Sequence, residues 1–188
     1  MVRSFSYGAA LRLGSMVVAA AALAMLAGGA CRGKGAEARA PGGGGGGRIG
    51  TGVGDFRVVA LDGQELTGSA LHGKVVLVDF WDTWCGPCLR AMPHLKELGQ
   101  AHEGQVVIIA VAIGQEGEAK VREVMARYDL RFPVALLAAQ GDLTTAFGEI
   151  AALPTTFLVD QEGVIRQRWV GAQSPATYEK SVRELLGA

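Results

Sequence analysis

Two cysteines separated by two residues, Cys85-Gly86-Pro87-Cys88, are the side chains in this sequence best suited to chemistry. They follow an apolar run, Val75-Val76-Leu77-Val78-Asp79-Phe80-Trp81, that reads as a buried strand. They precede a segment, Leu89 to His102, that reads as a helix. Thiols at i and i+3 across a helix start can close a small disulfide ring. The first thiol sits where unpaired backbone N–H groups and the helix dipole favour negative charge. That setting lowers a thiol pKa and supplies thiolate, the nucleophilic form of cysteine. Pro87 fits the first helical turn, where a missing N–H costs nothing. The spacing supports thiol–disulfide exchange.

Other readings of the pair are weaker. A structural zinc site needs further ligands at similar spacing. The third cysteine, Cys31, lies far upstream, and His72, His94 and His102 form no paired motif. A purely structural bridge over so short a loop removes little unfolded-state entropy.

The elements that must position the thiols alternate along the chain. Phe56 to Leu61 reads as a short strand followed by an Asp62-Gly63 turn, and Lys74 to Trp81 as a central strand. Pro93 is expected to kink the helix after Cys85. Gln105 to Ile113 is a nearly unbroken apolar strand, the pattern of a strand covered on both faces. Glu116 to Tyr128 is an amphipathic helix, Pro133 to Leu137 a short strand, and Leu143 to Phe147 a helical turn or two. Thr155 to Asp160 and Val164 to Val170 flank Gln161-Glu162-Gly163 as a hairpin. Ser174 and Pro175 open a closing helix that runs to Leu186. Such alternation implies an α/β sandwich.

Three segments divide the 188 residues. Residues 1–31 resemble an export signal, with Arg3 and Arg12 ahead of the apolar run Met16 to Leu26 and small residues before Cys31. Lipidation at Cys31, cleavage at a nearby small residue, and an uncleaved anchor all remain open; Gly28 stands where a lipobox usually has Leu. Each fate puts the body outside the cytoplasm. Residues 32–53, with Pro41 and Gly42 to Gly47, read as a flexible membrane tether. Residues 54–188 form the body. Six of the 18 basic residues and one of the 18 acidic ones lie at or before Arg48, leaving 12 and 17 beyond it and a net charge of −5. Nucleic-acid binding, which needs a concentrated basic surface, is not expected.

The run Val78-Asp79-Phe80-Trp81-Asp82-Thr83-Trp84-Cys85-Gly86-Pro87-Cys88, then Met92-Pro93-His94-Leu95, then Leu153-Pro154-Thr155-Thr156-Phe157 resembles the thioredoxin superfamily, within it the TlpA/ResA-like branch of extracytoplasmic oxidoreductases. The resemblance covers about residues 54 to 188. It implies a thioredoxin-like α/β fold: a central mixed β-sheet flanked by helices, with an inserted α/β segment, roughly Gly114 to Leu137, before a cis-proline loop at Pro154. It implies Cys85 as the exposed attacking thiolate and Cys88 as the shielded resolving thiol. Trp84, Gly86, Pro87, Leu153 and Pro154 become the substrate-docking surface. Two residues depart from the branch. Asp79 replaces its common Asn and matches the buried aspartate of thioredoxin, and Ala91 replaces a common Glu. Burial of Asp79 is expected to raise its pKa and fit it to take the Cys88 proton.

The resemblance further implies protein thiol or disulfide substrates, such as apocytochrome c or a copper-site protein, electrons from a membrane thiol carrier, and no cofactor beyond the redox disulfide. The Gly-Pro dipeptide leans toward reduction, but direction depends on potentials the sequence does not carry. An alternative of another class is a tethered Cu(I) chaperone holding the ion on both thiolates. Such carriers generally add a downstream His or Met on a loop; no His follows His102, and Met125 falls on an expected helix. A thiol peroxidase is disfavoured because Thr83 lies only two residues before Cys85. Asp82 and Thr83 lie near Cys85 and could tune it, although exposed loop polarity is the default reading, and His94 reads as a surface or packing residue.

Overall fold

β-Branched, aliphatic and aromatic residues dominate the central strands of the sheet, which are buried on both faces. Val75–Trp81 (β3) is buried at all seven positions, and Val106–Ala112 (β4) at all but Val107. The computed structural model describes residues 46–141 and 143–188; the export segment, Cys31 and the tether as far as Gly45 lie outside the described residues. The chain forms Arg57–Val59 (β1), Glu65–Thr67 (β2), β3, Gly86–Ala101 (α1), β4, Glu118–Tyr128 (α2) and Val134–Leu136 (β5). Leu143–Phe147 (α3), Thr155–Val159 (β6), Ile165–Val170 (β7) and Pro175–Leu186 (α4) complete it.

A five-stranded mixed sheet runs in the order β5-β4-β3-β6-β7, and β1 and β2 form a separate antiparallel hairpin. β3 pairs in parallel with β4 and antiparallel with β6. This is the thioredoxin-like α/β architecture expected. The insertion forms α2 and β5, and β5 extends the sheet beyond β4.

Strand alternation sorts the core. Val76, Val78 and Phe80 of β3 face the β1–β2 hairpin and α3, where Phe56, Phe80, Phe147 and Phe157 form a ring cluster with centroids 5.1–5.9 Å apart. Val75 and Leu77 face α1 and α4, against Leu95, Leu98, Tyr178 and Val182. Trp81, on that same side, packs with Cys88, Met92 and the α2 residues Val121 and Val124. Apolar residues of α1 recur at Cys88, Ala91, Met92, Leu95 and Leu98, one helical face. The helix continues through Pro93, which removes one N–H donor without ending it. Ser174 caps α4, its Oγ accepting the Thr177 N–H at 3.1 Å.

The domain starts earlier than residue 54. Gly50 N–H donates to the Ile165 carbonyl at 2.8 Å, Ile165 N–H to Thr51 at 3.0 Å, and Val53 N–H to Gly163 at 3.0 Å. Val53 is core. Gly47, expected to be tether, is buried at a positive φ of 74°, and a Cβ there would lie 1.9 Å from the Phe147 carbonyl oxygen. That glycine serves close packing rather than freedom.

Candidate active site

The exit of β3 is bent into a turn that delivers Cys85 to the start of α1. The Cys85 N–H donates to the Asp82 carbonyl at 3.1 Å. Cys85 takes the N-cap position, and its Sγ accepts the Cys88 N–H at 3.3 Å. Pro87 lies in the first turn. The two sulfurs are joined, with Cα atoms 5.2 Å apart. In this disulfide form Cys85 is 3 % exposed and Cys88 0 %, so the expected open exposure of Cys85 is not what the fold presents. Its neighbours Trp84 and Pro87 stand out instead; Trp84 is 55 % exposed.

β6 brings the second motif to the same end of the sheet. Its pairing puts Thr155 opposite Phe80, so Pro154 sits level with Trp81, just before the turn that carries Cys85. The Leu153–Pro154 peptide bond is cis. Leu153 packs on the cluster that contains Cys85, Cys88 and Met92. The Pro154 carbonyl accepts the Gly171 N–H at 2.8 Å, while the N–H and C=O of Leu153 make no hydrogen bond among the described residues. Those two groups can receive an extended chain.

Asp79 lies in β3 on the face that α1 covers, two residues before Trp81 and 1 % exposed. Its Oδ1 accepts the Thr156 hydroxyl at 2.7 Å, and its Oδ2 has no partner. Burial pushes its pKa up from 3.8 to about 7, with the Thr156 hydrogen bond acting the other way. Thr156 has given its one proton to Asp79, so the Tyr178 hydroxyl at 3.2 Å donates to Thr156. Burial also pushes the Tyr178 hydroxyl pKa up. This Asp79–Thr156–Tyr178 chain joins three elements, and only Asp79 was expected.

Asp82 and Thr83 are not solvated loop residues. Asp82 is 0 % exposed and Thr83 9 %. Asp82 Oδ1 accepts the Thr83 N–H at 2.8 Å, and Oδ2 accepts the Gln115 N–H at 3.2 Å. The Thr83 hydroxyl donates to Glu116 Oε2. His94 is half exposed beside Glu97, away from the thiols. Among the described residues no group of three or more His, Cys, Asp or Glu is placed to hold a metal ion, and no helix is long and apolar enough to cross a membrane. A cleft of about 510 Å³ lies between the second half of α1, the start of β4 and Phe132. It is at the opposite end of the strands from Cys85 and does not belong to this site.

Comparison with known proteins agrees with this geometry. Residues 49–186 match the Redoxin family. A thiol-disulfide oxidoreductase ResA of Bacillus cereus is 32% identical over 138 residues, which cover 73% of this chain and 79% of that protein. ResA of Geobacillus kaustophilus is 34% identical over 138 residues, covering 73% and 78%. A thioredoxin-family thiol:disulfide interchange protein of Chlorobium tepidum, known from its crystal structure, superposes with a TM-score of 0.66 at 27% identity, covering 74% of this chain and 99% of that one.

Proposed function

The chain belongs to the Redoxin family as a TlpA/ResA-like thiol–disulfide oxidoreductase of the thioredoxin superfamily, and we propose that it reduces disulfides of partner proteins outside the cytoplasm through Cys85 and Cys88. The observation that carries this reading is the Cys85–Cys88 pair at the start of α1, at the same end of the sheet as the cis Leu153–Pro154 bond.

Reduced Cys85 attacks one sulfur of a partner disulfide as thiolate. A mixed disulfide forms, and the partner's other sulfur leaves as thiolate and takes a proton. Cys88 then gives up its proton and attacks Cys85 Sγ. The Cys85–Cys88 bond closes, and the partner leaves with two thiols and two electrons. Asp79, titrating near neutrality, is suited to take the Cys88 proton. Trp84, Gly86 and Pro87 offer apolar contact, and the free backbone groups of Leu153 pair with an extended substrate. Reduced apocytochrome c cysteines and copper-site proteins fit this chemistry. A membrane thiol carrier returns the electrons. The apolar N-terminal run and Cys31 support export and a lipid tether.

Trapping tests the reading. A Cys88→Ala variant mixed with a disulfide-bonded peptide should accumulate a covalent adduct on Cys85, visible by mass. In the intact chain, Asp79→Asn should slow release of that adduct more than first attack. No adduct, or one on another residue, sinks the assignment. Mass analysis of the exported protein should find lipid on Cys31; a mature terminus beyond it removes the tether.

A further inference from the structure

We propose that Asp82 and Glu116 are positioning residues that lock the Cys85 turn to the inserted segment and make the Cys85–Cys88 pair a stronger reductant. This rests on the oxidoreductase reading above. The Cys85 N–H to Asp82 carbonyl bond closes a four-residue turn, which holds the two Cα atoms within about 7 Å. The Asp82 side chain is wholly buried and fixes that turn from inside through the Thr83 N–H. Its second oxygen reaches across to the Gln115 N–H, in the loop between β4 and α2. Glu116, the next residue, returns the contact through the Thr83 hydroxyl. The Thr83 hydroxyl lies 3.4 Å from Asp82 Oδ1, and its single proton serves the shorter bond to Glu116. The inserted segment thus grips the two residues that lead into Trp84 and Cys85.

The grip also sets charge. Two carboxylates are held on Thr83, two residues before a sulfur that must become an anion, and like charge disfavours that anion. Other charged or titratable groups around the turn are Asp79, beneath it in β3, Arg90 of α1, and Lys120 of α2, whose ammonium attracts Glu116. The Arg90 Nη1 lies 3.5 Å from where a Gly86 Cβ would stand. Arg90 and the helix start favour thiolate; Asp82 and Glu116 oppose them. A pair whose reduced form gains less from thiolate gives up its electrons more readily.

The test uses the full chain equilibrated with glutathione buffers. Asp82→Asn and Glu116→Gln keep size and remove charge. Each should shift the dithiol–disulfide equilibrium toward dithiol by threefold to tenfold, about 14 to 30 mV at 29.6 mV per factor of ten. The Cys85 thiolate midpoint, followed by absorbance at 240 nm, should fall in parallel. Concentrated salt should erase the Glu116→Gln shift, because Glu116 is exposed, and spare that of buried Asp82→Asn. Glu118→Gln, which removes an exposed carboxylate paired with Arg122, should move neither reading. Should Asp82→Asn fail to fold, Glu116→Gln alone decides. Unchanged equilibrium and midpoint, or an equal shift in Glu118→Gln, overturn the proposal and leave the oxidoreductase reading standing. A wild-type chain that never equilibrates with glutathione overturns that reading and this proposal together.

Discussion

Asp79 and Asp82 stand three residues apart, and both are shut away from water, yet the protein treats them in opposite ways. Asp79 lies inside the sheet with one donor and one oxygen unpartnered. Asp82 lies just past the strand end with a backbone donor on each oxygen. Burial therefore does not decide what a carboxyl group does; the supply of N–H groups does. Strand interiors have none to spare, because neighbouring strands take them. A loop between two elements has several. The first setting makes an acid that exchanges protons near neutrality, and the second makes a structural brace.

The largest expected effect follows from Asp79. Its carboxyl titrates at about 7 in the fold against an ordinary 3.8, so the folded chain keeps the proton to higher pH than the unfolded one. Stability is full below about pH 4 and is lost as pH rises to about 7, by about 4 kcal/mol in total. In Asp79→Asn that loss should vanish. Denaturant unfolding of the disulfide form should find the variant more stable at pH 8 and level with wild type at pH 4. Matching pH curves in the two proteins would erase the contrast with Asp82.

Asp82→Ala should act with the opposite sign. It strands the Thr83 and Gln115 N–H groups, which costs roughly 3 kcal/mol at pH 8. Equal stability by the same unfolding assay would mean that the brace carries no load. The smallest effect belongs to Thr156→Val. The Thr156 hydrogen bond lowers the Asp79 pKa, so removing it should move the stability inflection to higher pH and cost about 1 kcal/mol. An inflection that stays in place would assign the Asp79 setting to burial alone.

These two settings differ also in how far the sequence discloses them. The thiol pair, the apolar runs of β3 and β4 and the hairpin of β6 and β7 are local patterns, and each element forms within a residue or two of its expected place. Asp79 stands out because an acid interrupts an apolar run. Asp82 does not, because a polar residue in a loop looks solvated, and its second donor lies 33 residues away. Only the parallel pairing of β3 with β4 brings Gln115 to it. The antiparallel register of β3 with β6 likewise sets Thr156 beside Asp79, and no spacing announces Tyr178. β2 escapes notice because three residues with one apolar side chain show no period. Gly47 misleads for a different reason: glycine marks both freedom and tight approach, and only the Phe147 carbonyl tells which.

The pairing of residues 50–53 with the β6–β7 hairpin gives the molecule a handle and a business end. Val159 and Ile165 lie level with the first residues of β3, whereas Cys85 follows its last. Residues 50–53 pair at one pole, and the sulfurs sit at the other, about 20 Å away along the strand. Before that pairing the chain passes Phe147 and Gly148, where Gly46 and Gly47 pack closely. A pull on the upstream chain is therefore borne first by the Gly47 and residue 50–53 contacts, before it reaches the strand that carries Cys85.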